Sequence, residues 1–364
     1  MSNEQTTPES QRPINQTPES QSLESQTPES QFPIPQPQAS QLQASQLQEP
    51  PPQAPMPQAS TSQNPAQQPL SDALATPKVK PKFMAQNVTP TKPEPVGKAR
   101  RIVITSGKGG VGKSTITANL GMALAKRNKK VALVDADFGL RNLDLLLGLE
   151  NRVVYTAVEV ISGQCRLEQA LVKDKRQPGL ALLPAAQNRS KESVTPDQMS
   201  QLLDELAKIY DYILIDCPAG IEQGFQNAIA GAKEALIVTT PEIAAVRDAD
   251  RVVGLLESQS IKPIRLIVNR LRPAMVKAND MMSVEDVQEI LAIPLIGVVP
   301  DDEKVIISSN RGEPLVLADK DNPSLPSIAI TDIARRLEGE QVPLIDLMAY
   351  HDGLINRIKR FFLS

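Results

Sequence analysis

Short apolar runs alternate with longer amphipathic segments between residues 101 and 342. The near-continuous runs are typical of strands buried on both faces of a parallel sheet. They lie at 102–104, 131–134, 180–183, 212–215, 235–238, 264–268 and 295–299. Helical spacing occupies 113–127, 196–209, 243–259 and 284–291. The alternation predicts an α/β fold, a doubly wound and mostly parallel sheet flanked by helices, with its working site outside the carboxyl ends of the strands.

The first 98 residues have a different composition. Gln, Pro, Ser and Thr dominate, more than half of the 32 prolines lie there, and a pentapeptide at 7–11 returns at 17–21 and 27–31. Such a segment cannot bury enough apolar surface to offset the entropy of ordering its backbone. We predict a disordered extension over 1–98, a folded domain over 99–342, and a linker with a terminal helix over 343–364. A transit peptide is the alternative for the extension, but its several glutamates argue against that.

Composition and charge narrow the possible chemistry. The net charge of −3, from 39 Lys+Arg and 42 Asp+Glu, provides no global positive field for nucleic acid. Two cysteines, Cys165 and Cys217, cannot make a disulfide framework, which favours a reducing cytosolic compartment. The single histidine, His351, leaves Ser/His/Asp triads and polyhistidine metal sites almost nothing to build on. Any catalysis must therefore use lysine, aspartate and backbone amides, with or without a hard metal ion.

A glycine-rich loop follows the first predicted strand and precedes the first predicted helix. It fits the pattern G-x-x-x-x-G-K-[ST], in which glycines let successive N–H groups face phosphate oxygens and the helix adds its positive end. Lys113 would reach the β- and γ-phosphates of ATP, and the Ser114 hydroxyl would take a Mg²⁺ position. A merely flexible turn is the alternative. The predicted nucleotide contacts in this loop are Gly107, Lys108, Gly109, Gly110, Val111, Gly112, Lys113, Ser114 and Thr115.

Aspartates stand at the ends of two predicted strands. Asp135 and Asp137 follow the run at 131–134, and Asp216 follows the run at 212–215. Carboxylates at strand ends beside a phosphate loop can hold Mg²⁺ through water or orient the water that attacks the γ-phosphate. An aspartate at a strand end is otherwise a common capping or turn residue. The neighbouring Cys217 has no histidine near it in sequence, so we predict a bystander thiol.

The loop sequence from Lys108 to Ser114 resembles the deviant Walker A motif of the ATPases related to the nitrogenase iron protein. Segments at 135–144, 216–222 and 241–251 are similar to those of the MinD family within the ParA/MinD group, and the resemblance spans about residues 101–364. It implies that Lys108 reaches across an ATP-dependent homodimer to the partner's nucleotide. It further implies that Asp137 positions the hydrolytic water, while Asp135 and Asp216 organise Mg²⁺ with Ser114. The implied adenine contacts are Asn269, Pro300 and Asp302.

The same resemblance implies a role in division and two protein partners. A MinD-type ATPase recruits a MinC-like division inhibitor to the membrane, and a MinE-like activator stimulates hydrolysis and releases it. We place the partner surface on the helix at 243–259 and on the loop after Asp137. A solvated face is an equal alternative for the helix, and a role within their own loop is the alternative for the two loop residues. The residues assigned to this surface are Arg141, Asn142, Asp248, Asp250 and Arg251.

The last residues form a predicted amphipathic helix. At about 100° per residue, five large apolar side chains fall within an arc of about 120°, with cations on the remainder. A terminal helix docked on its own core would show the same periodicity. Two phenylalanines interleaved with three cations favour a membrane-surface helix instead. Its predicted membrane contacts are Leu354, Ile355, Arg357, Ile358, Lys359, Arg360, Phe361 and Phe362.

Membrane binding by one such helix should be weak, because an isolated helix of this length is marginal in water. Two helices presented by a dimer would gain about 10²–10⁴ in avidity. We therefore expect a cytoplasmic protein that becomes peripheral on an anionic membrane, at the inner face of the cytoplasmic membrane, when ATP drives dimerisation. The alternatives are a ParA-like DNA-partition ATPase, a MinD-like flagellar-number regulator and a scaffold that binds nucleotide without turnover. The acidic balance and the terminal phenylalanines disfavour the first.

Overall fold

A single sheet organises the part of the chain that the computed structural model describes, residues 99–138, 140–187, 194–319 and 321–348. Its strands are β1 (Arg100–Thr105), β2 (Val131–Asp135), β3 (Val172–Lys173), β4 (Leu180–Leu183), β5 (Tyr212–Asp216), β6 (Glu234–Thr239), β7 (Ile264–Leu271) and β8 (Leu295–Pro300). They pair in the order β3-β4-β2-β5-β1-β6-β7-β8. Only the β3–β4 pair is antiparallel among these strands.

Helices cover both faces of the sheet. Within the described ranges they are α1 (Lys113–Lys126), α2 (Leu143–Leu147), α3 (Ala157–Ile161), α4 (Leu167–Ala170), α5 (Pro196–Leu206), α6 (Gln223–Ile229), α7 (Ile243–Ser258), α8 (Pro273–Lys277), α9 (Val284–Leu291), α10 (Glu303–Asn310), α11 (Leu315–Ala318) and α12 (Leu325–Leu337). Helices α1, α2, α11 and α12 pack together on one face, and α5, α6, α7 and α9 contribute to the other.

The central strands are buried on both faces. In β1, Val103 belongs to the apolar cluster on one face, whereas Ile102 and Ile104 belong to the cluster on the other. All three side chains are fully buried. Because successive strand residues point to opposite faces, burial on both sides requires the uninterrupted apolar runs seen in the sequence.

The predicted doubly wound α/β fold is confirmed, and every strand and helix predicted between residues 101 and 342 is in place. The sequence analysis missed β3, whose two residues are too few to set up a pattern, and the short helices α2, α3, α4, α6, α8, α10 and α11. It also missed α12, although Pro326 in the first turn and the buried Ile330 and Ile333 mark an amphipathic helix.

The described chain remains packed beyond the predicted domain boundary at residue 342. Leu347 is 5% exposed and belongs to one of the two core clusters, while Ile345 packs against both clusters. Packing therefore continues to Leu347. The predicted extension at 1–98 and the predicted membrane helix near the carboxyl terminus lie outside the described residues. None of the described helices combines the length and apolar character needed to cross a bilayer.

A carboxylate at the amino edge of the sheet joins three neighbouring strands. Glu234 on β6 accepts hydrogen bonds from Arg100 Nε on β1 at 2.7 Å and from Arg265 Nη1 on β7 at 2.9 Å. Burial acts to raise the pKa of Glu234, but the two guanidinium groups outweigh it and hold that pKa below its usual value. The side chain is only 14% exposed, so this interaction is screened little by solvent.

Replacement of this carboxylate should destabilise the domain. We expect Glu234→Gln to lower the free energy of unfolding by about 3 kcal/mol at neutral pH, because it leaves two guanidinium groups without their counter-ion. Since the folded-state pKa of Glu234 is lowered, its contribution is present at neutral pH and is lost as the pH falls. Urea unfolding at neutral and acidic pH would measure both effects. Exposed Glu257→Gln is the control, and equal losses for the two variants would contradict the prediction.

Candidate functional site

Two left-handed glycines shape the loop between β1 and α1. Gly110 has φ 78° and Gly112, the residue before α1, has φ 97°. These values fall in the region that side chains with a Cβ rarely adopt. The Ser106 hydroxyl donates to the carbonyl oxygen of Lys108 at 2.8 Å, which closes the start of the loop. The loop therefore has the strand-before, helix-after setting of a phosphate-binding loop.

The loop is also in close contact with two neighbouring elements. A Cβ on Gly107 would lie 2.2 Å from the backbone carbonyl group of Asp248 on α7. A Cβ on Gly112 would lie 2.4 Å from Nδ2 of Asn269. That same nitrogen donates to the carbonyl oxygen of Val111 at 2.8 Å. Asn269, predicted as an adenine contact, thus also holds the phosphate loop in place.

Two aspartates face each other at the carboxyl ends of β2 and β5. Asp135 and Asp216 are direct partners in the register of these strands and are 1% and 2% exposed. The Thr117 hydroxyl lies 3.2 Å from Asp216 Oδ1 and 3.0 Å from the Lys113 carbonyl oxygen. The two carboxyl groups therefore stand directly beside the start of α1.

Burial raises the pKa of both carboxyl groups. For Asp135 the nearby Asp216 adds to the effect, and the pKa reaches about 8 although three backbone N–H groups oppose the rise. For Asp216 the pKa reaches about 6, because Lys113 and hydrogen bonds from Ser114 and Thr117 partly offset burial. Two buried carboxylates that repel one another favour a cation between or beside them.

Asp135 also organises the backbone that follows β2. Its Oδ1 accepts from the amide of Asp137 at 3.0 Å, and its Oδ2 accepts from the amides of Asn142 and Leu143 at 3.2 and 3.3 Å. The carboxylate therefore fixes the position of Asp137, the predicted water-positioning residue, and the start of α2. Direct ligation of a metal ion by Asp135 stays a prediction.

The predicted partner residues on this loop differ in their surroundings. Arg141 Nε lies 2.6 Å from Oδ2 of Asp144, whose side chain is fully buried, so the guanidinium group is engaged inside the loop. Asn142 is exposed. Of the two residues, only Asn142 presents its side chain largely to solvent.

The three predicted adenine contacts come together at one cleft beside the loop. Asn269, Pro300 and Asp302 line it with Gly112 and Thr115. The carboxylate of Asp302 accepts from the amide of Lys304 at 2.8 Å and caps α10. A larger cavity of about 740 Å³ lies on the other side of Arg270, with Met275, Met281 and Met282 among its lining residues.

Lys108, at the outer edge of the loop, is paired with α7. Its Nζ lies 3.2 Å from Oε2 of Glu242, and the two side chains are 44% and 56% exposed. Further along this helix Asp250 and Arg251 are exposed, as expected of a partner surface. Asp248 differs, because its backbone packs on Gly107 while its side chain lies 3.6 Å from Arg251.

Sequence reasoning missed three residues of this site, namely Thr117, Glu242 and Asp144. Thr117 could have been found, since it lies one helical turn after Ser114 on the same face. No sequence pattern marked Glu242 or Asp144. Each belongs to the site only because it pairs with a predicted residue, Glu242 with Lys108 and Asp144 with Arg141. Burial raises the pKa of the Cys217 thiol to about 12, which agrees with an inert bystander.

The residues present fit a Mg²⁺ ion that is shared with a nucleotide. In the described ranges there is no group of three or more His, Cys, Asp and Glu side chains placed to hold a metal ion alone. Ser114 and Asp216 stand next to each other at the phosphate loop. A hard cation held there would need further oxygen ligands, which phosphate groups and water provide.

The fold and the loop define a class: this is a P-loop nucleotide-binding protein of the deviant Walker A type. The family model of the CobQ/CobB/MinD/ParA nucleotide binding domain matches residues 102–315. The chain belongs to the MinD family of septum site-determining proteins within that group. The MinD of Synechocystis is 63% identical over 265 residues, which cover 73% of this chain and 99% of that protein.

Two solved structures are similar to the described domain. The first is the MinC:MinD cell division protein complex of Aquifex aeolicus, with 52% identity and a TM-score of 0.63, covering 68% of this chain and 98% of that chain. The second is the septum site-determining protein MinD of Pyrococcus horikoshii complexed with Mg-ADP, with 33% identity and a TM-score of 0.59. It covers 66% of this chain and 96% of that chain.

The raised pKa of Asp135 should make the free energy of unfolding depend on pH. Because the folded, nucleotide-free protein holds a proton up to about pH 8 that the unfolded chain releases near pH 3.8, stability should fall as the pH rises through this window. Asp135→Asn should flatten the fall. Urea midpoints at several pH values between these limits would measure it. Exposed Asp250→Asn is the matched control, and equal slopes for both variants and the parent would contradict the expectation.

Proposed function

We propose that this chain is an ATP hydrolase whose nucleotide state controls dimerisation and membrane attachment, and that it helps to position the division septum. The observation that carries the proposal is the second lysine of the loop. Lys108 is about half exposed at the outer rim of the phosphate loop, and its ammonium group pairs with Glu242, which is more than half exposed. A surface ion pair of this kind is weak, so the lysine is available for a stronger anionic partner.

Each residue of the site has a separate role in ATP hydrolysis. Lys113, which is 9% exposed, and the loop amides bind the phosphates of ATP. Asp216 and Ser114 would hold Mg²⁺, which would neutralise charge on the phosphates of ATP. Asp137 orients the attacking water, because the carboxylate of Asp135 fixes its amide. Lys108 of one protomer contacts the nucleotide of the other, so that ATP stabilises the homodimer.

Dimerisation then controls membrane residence. Each protomer contributes one terminal helix with the apolar stripe Leu354, Ile355, Ile358, Phe361 and Phe362. Insertion of the second helix becomes intramolecular once the dimer has formed. The three cations beside the stripe add attraction to anionic lipid. The protein accordingly moves between the cytoplasm and the inner face of the cytoplasmic membrane.

The proposed protein partners act on the ATP-dependent dimer. A MinC-like inhibitor binds the ATP-bound dimer at the membrane, and a MinE-like activator stimulates hydrolysis and releases it. The similarity to the MinD chain of a MinC:MinD complex supports the first of these partners. The exposed Asn142 lies on the loop after Asp137, and the exposed Asp250 and Arg251 lie on α7, whose backbone packs on Gly107 of the phosphate loop. These positions allow a partner to sense the nucleotide state.

Removal of the second lysine should abolish dimerisation and turnover together. We expect Lys108→Ala to reduce ATP hydrolysis at least about 100-fold, the effect of losing a transition-state donor, with ADP affinity nearly unchanged. Steady-state phosphate release and sedimentation velocity with ATP would measure activity and dimer. Exposed Lys208→Ala, on the loop after α5, is the control. A monomeric variant with full activity, or a parent protein without turnover, would contradict the proposal.

The membrane switch has its own test in liposome sedimentation with anionic vesicles. The intact chain should pellet with ATP and much less with ADP, whereas a chain ending at Asp352 should pellet with neither. Phe361→Ala should weaken pelleting, because it removes a residue of the stripe. Leu363→Ala removes an apolar residue about 180° from Leu354 and is the matched control. Equal pelleting with both nucleotides would exclude control by ATP.

A further inference from the structure

Two helices of the domain begin at opposite ends of the nucleotide site. Helix α2 begins beside the phosphate end, where Asp135 accepts hydrogen bonds from the amides of Asn142 and Leu143 at 3.2 and 3.3 Å. Helix α10 begins beside the cleft for the base, where Asp302 caps it. Each helix therefore shares its first turn with one end of the site.

The same two helices end against each other. Gly148 follows α2 with φ 60°, and Gly312 stands in the turn after α10 with φ 62°. A Cβ on Gly148 would lie 2.7 Å from the carbonyl oxygen of Gly312, and a Cβ on Gly312 would lie 2.8 Å from Cα of Gly148. Both the left-handed conformation and the close approach require glycine at these positions. The two backbones are thus in direct contact.

One guanidinium group bonds to both helix ends. Arg176 Nη1 donates to the carbonyl oxygen of Gly312 at 3.3 Å, and its Nη2 donates to the carbonyl oxygen of Leu147, the last residue of α2. The last carbonyl groups of a helix have no partner inside the helix. The planar, five-donor guanidinium group can satisfy carbonyl groups of two helices in one fixed geometry, which the single ammonium group of a lysine cannot reproduce.

The orientation of Arg176 is fixed by a buried carboxylate. Asp174, whose side chain is 1% exposed, accepts from Nε at 3.0 Å and from Nη2 at 2.7 Å. The amide of Arg176 donates to the same carboxylate at 2.7 Å. Asp174 is in turn bonded through its own amide to the carbonyl oxygen of Leu180 in β4 at 2.9 Å. The sheet edge, and not a flexible loop, thereby determines where the guanidinium group points.

We propose that Arg176 is a positioning residue that couples the base end of the nucleotide site to the phosphate end. A base that packs against the first turn of α10 restrains that helix and its terminal Gly312. Arg176 transmits the restraint to the end of α2, and α2 transmits it to the backbone that Asp135 holds. The nucleoside thus helps to order the loop that carries Asp137. This inference deepens the proposed function, on which its relevance to hydrolysis rests.

Amide hydrogen exchange with adenosine tests the coupling without any phosphate contact. Saturating adenosine should slow exchange at the start of α10 and also in α2, which the nucleoside does not reach. In Arg176→Ala we expect α10 to remain protected while the added protection of α2 is lost, a change of about 5-fold or more in exchange rate, the lower range of allosteric coupling. Arg176→Lys keeps the positive charge but lacks the planar guanidinium group, so it should lose most of the coupling. Lys175→Ala, an exposed neighbour, is the matched control.

The outcomes separate the coupling from the proposed function. Undiminished protection of α2 in Arg176→Ala, or no protection of α2 in the parent protein, would overturn the coupling. A general loss of protection in both helices would indicate a merely structural role and would also overturn it. Because the readout needs no turnover, a parent protein that fails to hydrolyse ATP would refute the proposed function while the exchange result still decided the coupling.

Discussion

The carboxylates of Asp135 and Asp216 are the constraint around which this site is built. Parallel pairing of β2 and β5 places them side by side at the carboxyl edge of the sheet, where both are almost fully buried. Two negative charges in such a position are unfavourable unless hydrogen bonds and cations compensate them. Lys113 and the hydroxyl groups of Ser114 and Thr117 compensate Asp216. Backbone amides of the following loop compensate Asp135. The phosphate loop and the backbone after β2 therefore meet at these two carboxylates.

These interactions only partly offset the burial of the two carboxyl groups. Both carboxyl groups keep a raised pKa in the protein alone. A cation bound with phosphate would lower the cost of keeping them ionised, so the burial of the two carboxylates favours binding of such a cation. Lys108 does not take part in the charge compensation of Asp135 and Asp216. Its exposed contact with Glu242 makes it the cation of the loop that can change partner without disturbing the core.

Three contacts connect the elements around the site. Asn269 holds the loop from the base side, and the backbone of α7 packs on Gly107. Arg176 joins the far ends of α2 and α10, with its geometry set by Asp174. Each contact joins elements that are distant in sequence. The proposed partner surface on α7 and the proposed base cleft beside α10 are therefore joined by contacts to the phosphate loop and to α2.

The sequence by itself determined the fold class, the phosphate loop and the aspartates at the strand ends, because these depend on local patterns and on residues contiguous in the chain. Only the tertiary structure decided that Asn269 bonds to Val111, that Glu242 pairs with Lys108, and that Arg176 spans Leu147 and Gly312. These partners are far apart in sequence, and a polar side chain carries no sign of which distant carbonyl or charge it will meet. Arg141 is an example. The sequence does not show that its side chain is mostly buried, because this follows from its ion pair with Asp144, which only the fold buries.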